Sequence, residues 1–209
     1  RKKIIDEVLG LTVAGLDTVN IAVNWAVRIL LQRPDVIEKI RAEADTVLLE
    51  NGVSTQSYDR MPYTKGVILE ALRLYPPFPL LTIKQTVEEM EIGSSIVPPK
   101  SWLCLLAYSI HRDARWFEKP ELFQPERWYD QNVARDRSTF LAFGTGTHRC
   151  LGWDLGLMEA TLIVAMLFNR FNLESAVRLK PCADNRIPYT LKVNLHIKGG
   201  LPLKLKTRS

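Results

Sequence analysis

The sequence predicts a mainly α-helical fold carrying small antiparallel β-sheets, and three observations carry that expectation. Apolar residues recur at helical spacing through residues 4–31, 36–49, 63–75 and 155–168. Between residues 76 and 106, and again after 190, prolines and glycines divide the chain into short extended pieces. Hydrophobic residues are 46% of the 209 and charged residues 24%, a globular balance with enough chain for one good-sized core.

The first helix, residues 4–31, carries Ile4, Ile5, Val8, Leu9, Leu11, Leu16 and Val19 at mixed spacing, which predicts burial on more than one face. Its middle reads Ala14-Gly15-Leu16-Asp17-Thr18. Small residues let a ligand lie against the helix, while Asp17 and Thr18 add a carboxylate and a hydroxyl that can bond back to the preceding turn. By itself the pentapeptide is better read as a core helix with one glycine and a solvent-facing aspartate. Arg33-Pro34-Asp35 ends this helix and starts the next, which stops at Asn51-Gly52 and carries no evident chemistry. After Met61-Pro62, the helix over 63–75 places Glu70 and Arg73 on one face, where an ordinary surface pair contributes a fraction of a kcal/mol.

Pro76, Pro77 and Pro79 force extended chain. Strands are expected at Leu80–Val87, at Met90–Ile92 and Ile96–Val97 around a Gly93-Ser94 turn, and at Trp102–Leu106. His111 suits a packing or capping role, and Tyr129–Arg137 reads as a polar loop. Phe143–Gly152, FGTGTHRCLG, reads as a tight glycine loop feeding the helix over 155–168. Cys150 there faces free helix N–H groups and the positive dipole end, which favour a thiolate, the form that binds metal or attacks carbon. His148 and Arg149 act the same way or pair with an anionic ligand. The plainer reading is a buried structural cysteine. The tail, Leu191–Leu205, predicts a hairpin around Gly199-Gly200.

A net charge of +5 comes from scattered lysines and arginines without an aromatic ladder, which argues against nucleic-acid binding. Cys104, Cys150 and Cys182 form no paired or zinc-like spacing, so a reducing compartment is expected and a disulfide framework is not. Asp17 and Arg28 interrupt the first apolar segment, and no signal or anchor is visible. The opening without methionine, directly in a helical pattern, suggests further chain upstream.

Phe143-x-x-Gly146-x-x-x-Cys150-x-Gly152 resembles the haem-binding loop of the cytochromes P-450, the haem-thiolate monooxygenases. The pentapeptide at Ala14–Thr18, the pair Glu70-x-x-Arg73 and Pro125-Glu126-Arg127-Trp128 resemble that family's other signatures, in its order along nearly the whole chain. The resemblance implies the C-terminal half of the P-450 fold as one domain over 1–209, with the N-terminal half and any membrane anchor outside the chain. It implies haem b with Cys150 as thiolate ligand, and Phe143, Gly146, His148, Arg149, Gly152 and Lys84 as cofactor contacts. Thr18 and Asp17 would serve oxygen activation and proton relay. Glu70, Arg73 and Arg127 would form a buried bracing network, with tryptophan at 128 a mild change from the commoner phenylalanine.

By the same resemblance Ala14, Gly15, Phe78, Leu80, Leu81, Thr82 and Leu201 border the substrate pocket, Leu201 at a hairpin tip formed by Lys198–Leu201. The implied reaction inserts one atom of O2 into a small hydrophobic organic substrate, with electrons from NAD(P)H through a reductase or ferredoxin. An intracellular setting follows, cytoplasmic if bacterial or at the endoplasmic reticulum membrane if eukaryotic. The alternatives are an inactive fragment with an incomplete haem pocket, or a haem-thiolate peroxygenase or isomerase. A cysteine hydrolase is poorly supported, since His148 is too near Cys150 in sequence to act as its partner.

Overall fold

In the computed structural model α1 runs unbroken over Lys2–Leu30, and only its second half is buried. Ile21, Trp25, Val27 and Leu30 are covered by later elements, whereas Ile4, Val8, Leu11 and Leu16 are exposed. The expected burial on several faces therefore fails through Leu16: the helices and hairpin that pack on α1 reach only its second half. The structure describes residues 2–129, 138–179 and 187–208, apart from the side chains of Leu81 and Thr82. Residues 130–137 of the expected polar loop, and Cys182, lie outside the described residues.

Proline at the first turn opens both α2 (Pro34–Asn51) and α4 (Pro62–Leu74), where its missing N–H costs nothing. Gly52, at φ 61°, closes α2. Glu43 of α2 caps α4, accepting from Tyr63 N and Thr64 N at 2.8 Å each. Ser54 caps the short α3 (Thr55–Asp59) by accepting from Ser57 N, and α5 spans only Ala107–Ile110. The last helix, α6 (Trp153–Arg170), begins after Gly152 and packs against α1, α2 and α4.

Among the described residues the strands form four antiparallel pairs. β1 (Leu81–Gln85) pairs with β4 (Trp102–Leu105), and β2 (Met90–Ile92) with β3 (Ser95–Val97). β5 (Phe171–Ser175) pairs with β8 (Leu203–Thr207), and β6 (Tyr189–Leu191) with β7 (Leu195–Ile197). The tail is therefore not one hairpin around Gly199-Gly200. Its hairpin reverses at Lys192–Asn194, and the double glycine, at φ 82° and 75°, redirects the chain from β7 to β8.

The core closes on a Trp25–Tyr75 stack with ring centroids 3.9 Å apart. Trp25 Nε1 donates to Leu195 O at 2.8 Å, Leu195 N donates to Pro77 O at 2.9 Å, and Ile187 N donates to the Tyr75 hydroxyl at 2.9 Å. One aromatic pair thus locks α1, the end of α4 and the β6–β7 hairpin together. Among the described residues no helix is long and apolar enough to cross a membrane.

Candidate active site

The cysteine loop lies between Leu141 and α6 and is shaped by its backbone. Gly144 and Gly146 take φ of 70° and 69°, a conformation that disfavours any side chain. Gly144 N donates to Leu141 O at 3.0 Å, and Cys150 N donates to Phe143 O at 2.8 Å, closing the loop. Phe143 packs edge-on against Trp153 at 4.5 Å, and the Arg149 guanidinium lies 4.3 Å from the same indole. Cys150 is an exposed free thiol three residues before α6, so the buried structural reading is excluded. Leu151 and Leu155 leave apolar surface beside it, and His148 is exposed.

Glu70 is fully buried. Its Oε1 accepts from Arg73 Nη2 at 2.8 Å, Arg127 Nε at 3.0 Å and Gln124 N at 3.0 Å. Its Oε2 accepts from Arg73 Nε at 2.9 Å and Trp128 Nε1 at 3.0 Å. Arg73 spends its remaining donors on the carbonyls of His111, Pro120 and Leu122. The surface-pair alternative is excluded. Trp128 is likewise more than a mild replacement, because phenylalanine has no N–H to offer Glu70.

His111 connects this network to the cysteine loop. Its Nδ1–H donates to Arg73 O at 2.9 Å, and its Nε2 accepts from Leu141 N at 2.8 Å. Those bonds require the neutral ring with the proton on Nδ1. Burial drives its pKa down to about 3, against the partial help of the Arg73 carbonyl. Phe140 stacks on the same ring at 5.4 Å and meets Trp128 at 4.7 Å.

α1 crosses α6 where Val19 faces Gly156, whose added Cβ would lie 3.7 Å from Val19 Cγ2. Val19, the neighbour of Thr18 in the middle of α1, thus packs on α6, the helix that the Cys150 loop enters. Thr18 Oγ1 donates to Ala14 O at 2.7 Å, the expected back-bond, without breaking the helix. Ala14 and Gly15 are open, with nothing within 4 Å of a Cβ built on Gly15.

Asp17 is half-buried and accepts a hydrogen bond from Asn194 Nδ2 at the hairpin reversal, so it does not simply face solvent. Asn194 escaped the sequence reading because the hairpin turn was expected at Gly199-Gly200. Phe78 and Leu80 are exposed on a segment held by Leu195 N on Pro77 O and Tyr108 N on Pro79 O. The side chains of Leu81 and Thr82 lie outside the described residues, and Lys84 is exposed on β1 opposite Leu103. Leu201 is not at a hairpin tip: it lines a small cleft with Asn20, Asn24, Trp25 and His196. Among the described residues no three of His, Cys, Asp or Glu converge as a ligand cluster. The site offers a metal one accessible sulfur, exposed apolar side chains and the Arg149 cation, which fits an anionic macrocycle that supplies its own remaining ligands.

The chain matches the cytochrome P450 family model over residues 1–197. It is 35% identical over 187 residues to cyclooctatin synthase of Streptomyces melanosporofaciens, covering 89% of this chain and 39% of that protein. Cyclooctat-9-en-7-ol 5-monooxygenase of the same organism is 34% identical, covering 82% of this chain and 37% of its own length. Steroid 17-alpha-hydroxylase/17,20 lyase of Rana dybowskii is 36% identical, with 77% and 32% covered. The chain belongs to the cytochrome P450 family. It spans well under half the length of these relatives.

Proposed function

We propose that these residues are the C-terminal portion of a haem-thiolate monooxygenase that oxidises a hydrophobic organic substrate with O2, taking electrons from a redox partner. The observation that carries this is an exposed Cys150 on a braced glycine loop feeding α6, the helix on which Val19, next to Thr18, packs. Cys150 would hold haem b, with Phe143, Gly146 and Gly152 forming the loop around it. His148, Arg149 and Lys84 would pair with its carboxylates. When bound, the haem supplies oxygen activation.

The chain's own residues provide the surroundings. His111 and Phe140 fix the start of the cysteine loop to the Glu70 network, so the sulfur keeps one position. The Thr18 hydroxyl spends its proton on Ala14 O, leaving its oxygen to accept from a water in the open groove beside Gly15. Asp17 contributes a carboxylate one residue away that takes up and releases protons. Ala14, Phe78 and Leu80 would offer apolar surface to a substrate, as would Val193 at the hairpin reversal and Leu201 in its cleft.

Thr18→Ala tests this reading in protein extended upstream to the length of its relatives and loaded with haem. Oxygen consumption that yields peroxide instead of product supports the monooxygenase. Unchanged product formation contradicts the role of Thr18 and favours a peroxygenase or isomerase. A second reading, that the 209 residues alone turn nothing over, is favoured by the exposed Ile4, Val8, Leu11 and Leu16 on the first half of α1.

A further inference from the structure

We propose that Asn194 is a positioning residue for the Asp17 carboxylate, holding it at the Thr18 turn from the β6–β7 hairpin; this rests on the monooxygenase reading above. Asn194 Nδ2 donates to Asp17 Oδ2 across 177 positions of chain, and both side chains are half-buried. The donor is not left to a loose tip. The next residue, Leu195, is 1% exposed and held at both backbone groups, by Trp25 Nε1 at 2.8 Å and Pro77 O at 2.9 Å. Trp25 lies about two turns beyond Asp17, so α1 grips the hairpin at two levels and the amide has little freedom to leave the carboxylate.

The amide suits a carboxylate that changes protonation state. An ionised Asp17 only accepts, so the NH2 faces it. The other amide atom, Oδ1, is buried and takes no bond from any described residue. A half-turn of the amide presents that oxygen to the acid form of Asp17, which then donates. A lysine or arginine in this place would pair with the ionised form alone. Asn194 therefore keeps Asp17 in one place through both states of a proton relay, where a misplacement of about 1 Å can cost on the order of 10²-fold in rate.

The test uses haem-loaded protein of the relatives' length, carrying Asn194→Ala, Asp17→Asn, both together, or the exchange Asp17→Asn with Asn194→Asp. Two quantities are read: the share of consumed oxygen released as peroxide, and the melting temperature. The expected result is a several-fold larger peroxide share in Asn194→Ala at unchanged haem content, with little further rise when Asp17→Asn is added. Melting temperatures should be non-additive, and the exchange should restore the melting temperature but not the product yield. Additive melting temperatures overturn the contact. A normal peroxide share in Asn194→Ala while Asp17→Asn leaks peroxide overturns the positioning role alone. A normal share in Asp17→Asn overturns the relay, and the positioning role with it.

Discussion

Removing the Glu70 carboxylate would leave Arg73, wholly enclosed, facing only carbonyls, and Arg127 without its anion. Breaking a buried charged network at one member costs about 3–5 kcal/mol, a large part of the roughly 5–15 kcal/mol that holds a domain. Glu70→Ala should therefore give no holoprotein; soluble variant with full haem content would refute the bracing role. Trp128→Phe keeps the ring against Phe140 and loses the N–H on Glu70, for an expected loss of roughly 1.5–3 kcal/mol in chemical unfolding. His111 gives a pH signature. Its folded pKa lies near 3 and its ordinary value is 6.5, so between them the unfolded chain binds a proton that the fold refuses. The stability tied to the neutral ring is complete above about 6.5 and is lost as pH falls toward 3. His111→Gln, whose amide can serve both neighbours, should lose less melting temperature over that window than the parent; equal slopes would contradict it. The Glu70–Arg73 pair was legible because three-residue spacing puts both on one helix face. The Trp128 and Asn194 bonds span 58 and 177 positions, and local pattern carries no trace of such partners.

At the scale of elements, two helical glycines look alike in sequence and differ in what surrounds them. A Cβ on Gly66 of α4 would lie 2.9 Å from Pro125 O, a backbone atom held beside Trp128. Gly66→Ala should destabilise by about 1–3 kcal/mol through overpacking, outweighing the gain of about 1 kcal/mol in helix propensity. A Cβ on Gly156 of α6 would make only ordinary contact with Val19, so Gly156→Ala should be neutral or stabilising. Denaturant midpoints of the two variants check this, and equal values would show that the α4–Pro125 approach is looser than described. The long helices were readable because their apolar period persists over several turns. The short α3 and α5 hold too few residues to show a period, and β5 follows α6 without an intervening turn signal. The tail was misassigned because Gly199-Gly200 has the right chemistry for a hairpin turn. Which strand β8 joins is set by the free edge of β5, and turn chemistry does not encode that.

Taken whole, the molecule has a well-bonded half and an open one. The Trp25–Tyr75 stack, the Glu70 network and the β5–β8 pair enclose the core, whereas the first half of α1 and the cysteine face present apolar side chains to water. Apolar surface of that extent marks an interaction site. The 209-residue chain alone should bind a hydrophobic dye strongly and retain little haem, and chain extended to the relatives' length should do neither. Strong dye binding by both would contradict the view that further chain covers this face. The proposed function turns on whether Cys150 holds haem through its sulfur. The most direct measurement is the absorption spectrum of the dithionite-reduced, carbon monoxide-treated protein, for this chain, for the extended chain and for extended Cys150→Ser. The extended chain should show the Soret band of thiolate-ligated haem and lose it in Cys150→Ser. A band that survives Cys150→Ser, or no haem in either length of chain, would contradict it.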